Sequence, residues 1–283
     1  MTVPPRTRPF AQVDVFAATE YGGNPVAVVL DGTDLTGEEM QRLARWTNLS
    51  ETTFVLPPAA PEADYRLRIF TPQDELPFAG HPTLGSARAW LEGGGRPRRA
   101  GRIVQECGAG LVTVRHEGDS LAFAAPPRIR EGALDDAYLD RTVAAFGITR
   151  ERVVAHQWVD NGPGWAVLQL ATAAEVLALE PDLSLIPGAM VGAIGAYPQG
   201  SPYRYEMRTF APGAGVPEDP ACGSMNAAVG QWLTGTGAAP AAYRVSQGTR
   251  VGRTAGIGIT ADPDGTVWVS GTTAVCIRGT VTV

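Results

Sequence analysis

Three short segments of the chain bring acids, a histidine and a thiol next to small residues. The first, residues 48–54, places Glu51 at the start of a strand-like run whose neighbours are mostly apolar or hydroxylic. A carboxylate in such surroundings can be partly desolvated, which raises its pKa and lets it transfer protons near neutral pH. The alternative interpretation is an ordinary surface glutamate at the edge of a strand.

The second segment, Ala79-Gly-His-Pro82, lies at the predicted start of a helix. Gly80 would let a ligand approach the backbone there, and the N–H groups and dipole of a helix start favour an anion. His81 could then supply a hydrogen bond or a proton. It could equally serve as a capping or packing histidine.

The third segment, residues 218–224, lies at a matching helix start. Two adjacent carboxylates, Glu218 and Asp219, would weaken the attraction of that site for an anion. We therefore expect one of them to bind a hydroxyl, an amine or a histidine, unless Asp219 and Ser224 simply cap the helix. Cys222 would be polarised toward thiolate at such a position, or would act as a small apolar filler.

The composition excludes several classes of chemistry. All 23 basic residues are arginine, so the chain has no lysine for a Schiff base or for a Walker-type phosphate loop. The three histidines lie far apart without metal-ligand spacing, and no G-x-G-x-x-G motif joins a strand to a helix. We therefore expect no metal, and chemistry that depends on acids, bases and a thiol.

Charge and hydropathy point to a cytoplasmic protein without nucleic-acid or membrane partners. The formal net charge of −6 argues against a general nucleic-acid binder. No apolar run reaches the roughly 18 residues that a membrane helix needs, and the first residues lack the core of a secretion signal. The three widely spaced cysteines fit a reducing compartment.

The pattern of elements predicts an α+β fold made of two similar halves. Mixed strands alternate with few helices, one of them over residues 37–46 with Asp34 and Thr36 as candidate N-caps. Residues 70–91 and 210–233 echo each other as a strand, a proline- and glycine-rich loop, and a helix of small residues ending in Trp-Leu. Helices so poor in charge should be buried on nearly every side, which a sheet wrapped around each would achieve.

Seven motifs together resemble one known family. The motifs are Phe10-Ala-Gln-Val-Asp-Val-Phe, Gly23-Asn-Pro-Val-Ala-Val-Val, Asn48-Leu-Ser-Glu-Thr-Thr-Phe, Phe70-Thr-Pro, Gly80-His-Pro-Thr-Leu-Gly, Glu218-Asp-Pro-Ala-Cys-Gly-Ser and Gln247-Gly. Their order is similar to that of the phenazine-biosynthesis PhzF-like isomerases. The resemblance implies a diaminopimelate-epimerase-like fold, in which each of two similar domains wraps a mixed β-sheet around a central helix. It also implies no cofactor, an active site between the domains, and a homodimer.

With the resemblance, the domains are expected at residues 1–126 and 127–273, and residues 274–283 return to the first domain as a strand. The Pro126-Pro127 pair marks the crossing between the two halves, because it neither donates ladder bonds nor continues a helix.

The resemblance also implies a reaction, the shift of a proton within a small conjugated carboxylic acid such as a dihydro-hydroxyanthranilate. Glu51 matches the glutamate that carries the proton as general acid and base, and His81 and Asp219 match residues that hold the polar groups of the substrate. The further positions expected to bind substrate are Gly80, Cys222, Gly223, Ser224 and Gln247.

Two other functions stay open. Many family members have threonine where this chain has Cys222, and the related epimerases use two opposed cysteines at helix starts. An amino-acid racemase or epimerase would use Cys222 as one base, but the opposite position corresponds to Ala79. The third possibility is a non-catalytic relative that binds a small ligand.

Overall fold

The computed structural model describes residues 6–118 and 120–283, and the chain divides into two compact units. Unit 1 runs to Ala124 and resumes with Ser270–Val283, and unit 2 is Ala125–Val269. Mixed sheets and few helices make up both units, which confirms the predicted α+β class. None of the helices in these described residues is long and apolar enough to cross a membrane.

Unit 1 is built on a mixed sheet. Its strands are β1 (Thr7–Val15), β2 (Asn24–Val29), β3 (Glu51–Leu56), β4 (Tyr65–Phe70), β5 (Glu75–Leu76), β6 (Arg102–Cys107), β7 (Gly110–Glu117), β8 (Ser120–Ala124) and β18 (Thr273–Thr282), and its helices are α1 (Gly37–Thr47) and α2 (Gly80–Glu92). The strand order is β18-β1-β2-β3-β4-β6-β7-β8, with the short β5 also paired to β4. The β2–β3 and β4–β6 pairs are parallel and the others antiparallel.

Unit 2 repeats this plan. Its strands are β9 (Arg130–Gly132), β10 (Val153–Asp160), β11 (Ala166–Thr172), β12 (Val191–Ala196), β13 (Tyr205–Ala211), β14 (Val216–Asp219), β15 (Ala242–Gln247) and β16 (Ala255–Ala261), followed by β17 (Val267–Gly271), and its helices are α3 (Asp136–Ala145), α4 (Ala173–Leu177) and α5 (Gly223–Gly235). The order is β9-β10-β11-β12-β13-β15-β16, with β14 also on β13. The β11–β12 and β13–β15 pairs are parallel, so the alternation of parallel and antiparallel pairs matches that of unit 1.

The two echoing segments end in α2 and α5, and both helices are buried over most of their length. Every residue of α2 from Gly80 to Ala89 is buried. A Cβ added at Gly85 would lie 2.4 Å from Cγ1 of Val26, so glycine is what lets α2 approach the sheet this closely. Gly230 has the same role in α5, because a Cβ there would lie 3.0 Å from Cγ2 of Ile259.

Helix α1 leads the chain to the start of β3. Thr36 caps it, and Glu39 completes a capping box, so of the two candidate caps the structure uses Thr36. The helix ends at Asn48, whose left-handed conformation (φ 54°) stops it and turns the chain toward β3. The helix predicted over residues 37–46 is thereby confirmed, with one further residue. Glu51 consequently stands three residues after a fixed turn.

Substitution of Gly85, with Gly235 as a control, tests how tightly α2 packs against its sheet. Gly85→Ala should lower the free energy of unfolding by about 1–3 kcal/mol, because the added methyl overlaps a buried valine. Gly235→Ala in α5 is the matched control, since nothing lies within 4 Å of its Cβ position, and helix propensity should raise stability by up to about 1 kcal/mol. Urea unfolding of both variants measures the difference. A Gly85→Ala protein as stable as the control would contradict this account of the packing.

Candidate active site

Glu51 is the first residue of β3, at the edge of the buried part of unit 1. Its backbone pairs in parallel register with Val26 of β2, and its side chain is 14% exposed. The four residues that follow it, residues 52–55, are all buried. The carboxylate is therefore mostly withdrawn from solvent while one side of it stays accessible.

His81, the second residue of α2, lies beside this carboxylate. Its side chain is 4% exposed, and its Nε2 lies 3.2 Å from Oε2 of Glu51. Its Nδ1 lies 3.3 Å from Nδ2 of Asn24. The Nε2 and Oε2 atoms are near each other but are not aligned as a hydrogen bond.

Burial determines the charge of this histidine. It lowers the pKa of His81 to about 3, and the backbone of Pro25 opposes the shift only in part. The imidazole is therefore neutral at physiological pH, even beside a carboxylate. A neutral ring can donate one hydrogen bond without competing for the proton that Glu51 would carry.

The start of α2 offers backbone donors next to this pair. Its N-cap is Ala79, which makes no side-chain capping bond. The N–H groups of Gly80 and His81 therefore receive no side-chain cap, and Pro82 has no N–H to satisfy. Such a helix start suits a carboxylate or a developing negative charge.

The polar groups of unit 2 form a connected cluster around Asp219, the last residue of β14. Its Oδ1 accepts a hydrogen bond from the N–H of Ala221 at 2.9 Å, and its main-chain oxygen accepts from Nε2 of Gln247 at 2.9 Å. Oε1 of Gln247 in turn accepts from Nδ2 of Asn226, on α5, at 2.8 Å. These bonds tie the end of β14, the first turns of α5 and the end of β15 together.

The protonation of Asp219 is shifted toward neutral pH. Burial raises its pKa to about 6, and the nearby charge of Glu218 acts in the same direction. Hydrogen bonds from the backbone of Ala221 and the thiol of Cys222 partly offset this rise. Near physiological pH the group is thus able to exist in both protonation states.

Glu218, the neighbouring carboxylate, is engaged elsewhere. It forms a bidentate pair with Arg208, in which Nε donates to Oε1 at 2.9 Å and Nη2 to Oε2 at 2.7 Å. Both side chains are nearly buried. Of the two adjacent acids, Glu218 is therefore the one held in an ion pair.

Cys222 and Ser224 occupy the start of α5. Cys222 is the N-cap, is buried, and makes no capping bond. Oγ of Ser224 lies 3.6 Å from its Sγ and accepts a hydrogen bond from Nε1 of Trp165 at 2.9 Å. Neither Asp219 nor Ser224 caps the helix, so the simple capping role considered from the sequence does not occur.

Each unit thus assembles its own share of the residues singled out from the sequence. Unit 1 brings together Glu51, Gly80 and His81, and unit 2 brings together Asp219, Cys222, Gly223, Ser224 and Gln247. Sequence reasoning missed Asn24, Trp165 and Asn226, although Asn24 stands inside one of the quoted motifs. In residues 6–118 and 120–283, no group of three His, Cys, Asp or Glu side chains could hold a metal ion.

Comparison with known proteins gives consistent matches along the chain. The family model described as phenazine biosynthesis-like protein (PhzC-PhzF) matches residues 13–283. "Antisense-enhancing sequence 1" of Schizosaccharomyces pombe is 37% identical over 288 residues, covering 95% of this chain and 97% of its own length. The trans-2,3-dihydro-3-hydroxyanthranilate isomerase of Pseudomonas aeruginosa is 38% identical over 220 residues and covers 76% of each chain.

A solved structure supports the fold. The PhzF-family phenazine biosynthesis protein of Enterococcus faecalis superimposes with a TM-score of 0.80 at 22% identity, covering 98% of this chain and 100% of its own. The fold expected from the resemblance is thereby confirmed.

The raised pKa of Asp219 predicts how stability depends on pH. The pKa of Asp219 is about 6 in the folded state against an ordinary value of 3.8, so the folded state binds this proton more tightly. The bound proton stabilises the fold at low pH, and this contribution is lost as the pH rises through 6. Asp219→Asn keeps the acceptor for Ala221 without the charge. It should be more stable than wild type above about pH 7, by up to roughly 3 kcal/mol, and similar to it below about pH 4. Urea unfolding across this range measures the difference, with the exposed Asp264→Asn as control; a difference that does not vary with pH would contradict it.

Proposed function

The chain belongs to the phenazine biosynthesis-like protein family, and we propose that it is an isomerase that shifts a proton within a small conjugated carboxylic acid. The observation that carries this proposal is the mostly buried Glu51 carboxylate 3.2 Å from the neutral imidazole of His81. The relative from Pseudomonas aeruginosa, named for its action on trans-2,3-dihydro-3-hydroxyanthranilate, supports the substrate class.

Glu51 acts as both base and acid in this proposal. Its carboxylate removes a proton from one carbon of the substrate, and the electron pair left behind moves into the conjugated system. Glu51 then returns the same proton to another carbon, so that no proton or electron is gained or lost overall. The low exposure of Glu51 supports this role, because a proton held away from bulk water is not exchanged before it is returned.

The neighbouring groups stabilise the charge that develops on the substrate. The neutral imidazole of His81 and the uncapped N–H groups at the start of α2 are polar groups fixed in a buried element, so they need little reorganisation during the reaction. We assign to Asp219, Gly223 and Ser224 the binding of the substrate's carboxylate and other polar groups. Gln247 acts through the bonds that hold the Asp219 loop.

A racemase that uses Cys222 is the second candidate function. It is favoured by the place of this buried thiol at the start of α5. A two-base racemase removes a proton from one face of a carbon and returns it on the other, so it needs two such groups. The N-cap of α2 is Ala79, which has no titratable side chain, and this weighs against a two-thiol mechanism. The homodimer and the cytoplasmic location expected from the sequence stay predictions.

Proton NMR in deuterated water tests the role of Glu51. Wild type incubated with dihydro-hydroxyanthranilate should convert it to the isomer with protium retained at the ring carbon that receives the proton, because Glu51 returns the proton that it removed. Glu51→Gln should remove turnover, because an amide cannot accept the proton, while circular dichroism shows an unchanged fold. Turnover retained by Glu51→Gln would overturn the assignment.

A second variant separates the isomerase from the racemase. Cys222→Thr should keep most of the isomerase activity, because a hydroxyl of similar size preserves the start of α5 and the reaction does not use a thiol. The same samples are incubated with a panel of amino acids. Deuterium entering an α-carbon with Glu51→Gln but not with Cys222→Thr would establish the racemase instead. Binding without turnover or exchange on any compound would favour a non-catalytic protein.

A further inference from the structure

A cavity of 510 Å³ opens in unit 2, beside β9 and α3. Its volume lies in the range of small-molecule sites. Arg130 and Arg141 line it, and no Asp or Glu is among its lining residues. A concave surface with two positive charges and no acid attracts anions.

Arg130 lies over an aromatic ring at the wall of this cavity. Its guanidinium carbon lies 3.4 Å from the centre of the Trp158 ring, and Trp158 packs against Tyr138 with ring centres 4.7 Å apart. Trp158 is buried, so this platform is part of the core and does not move freely. A guanidinium stacked in this way keeps the outer face and the N–H edges of its plane for another planar group.

Arg141 adds a second positive charge at the same place. It lies one helical turn after Tyr138 on α3, with its guanidinium carbon 6.0 Å from the Tyr138 ring. Burial raises the pKa of Tyr138, and the charges of Arg141 and Arg130 both lower it, so both cations act on the same phenol. Neither guanidinium has an ion pair with a carboxylate in the part of the chain that the structure describes. Two charges are thus left for a ligand.

The remaining walls are apolar. Ile186 and Met190, with the prolines and glycines near them, complete the cavity. Gly164 also lines it, and this residue precedes Trp165, whose indole donates to Ser224. A ligand in the cavity would therefore contact the backbone that holds the polar cluster of unit 2.

We propose that this cavity binds a small aromatic carboxylate, at a site separate from the residues assigned to the proton shift. The carboxylate is held by Arg141 and by the N–H edge of Arg130, and the ring lies between the guanidinium of Arg130 and the apolar wall. A carboxylate with a saturated ring keeps the charge contacts and contact with the apolar wall but lacks a flat face for the guanidinium of Arg130, and phosphate gains nothing from the apolar wall. This inference does not depend on the proposed reaction.

Isothermal titration calorimetry with benzoate tests the site, and cyclohexanecarboxylate and inorganic phosphate serve as comparison ligands. Benzoate should bind wild type more tightly than either of the others. Arg130→Gln and Arg141→Gln should each weaken benzoate binding by about tenfold or more, because each removes a charge-assisted contact. Arg204→Gln is the matched control, since Arg204 is also an exposed arginine beside an aromatic ring but lines no part of this cavity. Thermal unfolding shows whether each variant is folded, and the two substitutions on separate elements provide independent evidence.

The Asp219→Asn variant shows which of the two sites benzoate occupies, because this substitution changes the polar cluster around Asp219 but no residue that lines the cavity. Unchanged benzoate affinity in Asp219→Asn, together with the losses in both arginine variants, would establish the site. Equal affinity in wild type and both arginine variants, or a loss confined to Asp219→Asn, would overturn it. Phosphate or cyclohexanecarboxylate binding as tightly as benzoate would overturn the aromatic part of the proposal.

Discussion

The burial of one charge-poor helix in each unit is the constraint on which the rest of the structure depends. Helices α2 and α5 are surrounded by their sheets, so they can carry few charged side chains, and glycines must stand where strands press against them. Arg88 is the exception in the buried part of α2, and its Nε donates to Oγ1 of Thr273 at 2.9 Å. Both helices also begin without a capping side chain. Their first backbone N–H groups are therefore polar groups at the start of otherwise apolar helices. The candidate catalytic and binding residues gather at these ends.

The two units share a plan but differ at the position that Glu51 occupies in unit 1. Thr52 pairs with Phe70 in unit 1 and Val191 with Phe210 in unit 2, and the two phenylalanines open the two echoing segments. The residue before each of these strand positions is Glu51 in unit 1 and Met190 in unit 2. Only unit 1 therefore has an acid at this position. The helix starts differ in the same way, with Ala79 in one unit and the thiol of Cys222 in the other. This asymmetry fits a reaction with a single proton carrier.

Local patterns predicted the elements that carry their own signals. The helix after Thr36 was predictable because its cap, its apolar face and its first-turn acids all lie within a dozen residues. Strand β15 was missed, although three of its six residues, including Gln247, are buried; its signal lies in the parallel pairing with β13, which no local pattern reveals. Strands β5, β9 and β14 were missed because they are too short to show any period.

The candidate site was predictable in its members but not in its contacts. The resemblance pointed to Glu51 and His81 separately, and only the packing of α2 against the sheet brings their side chains to 3.2 Å. The depressed pKa of His81 likewise follows from complete burial, which its short motif does not indicate. Asn24 contacts the histidine from 57 residues away, and Trp165 contacts Ser224 from 59 residues away, so neither could be assigned from spacing.

Because unit 1 includes strand β18, the two units are completed at different times during synthesis. It pairs with β1 along nine residues of that strand, from Thr7 to Val15, while every residue of unit 2 lies between them in the sequence. A ribosome therefore delivers the whole of unit 2 before it delivers the strand that covers β1. Until then the outer edge of β1 stays open to any other strand, which is the exposure that chaperones recognise and that leads to aggregation. In the cell, the unit that carries Glu51 is thus the later of the two to be completed, although most of its residues are made first.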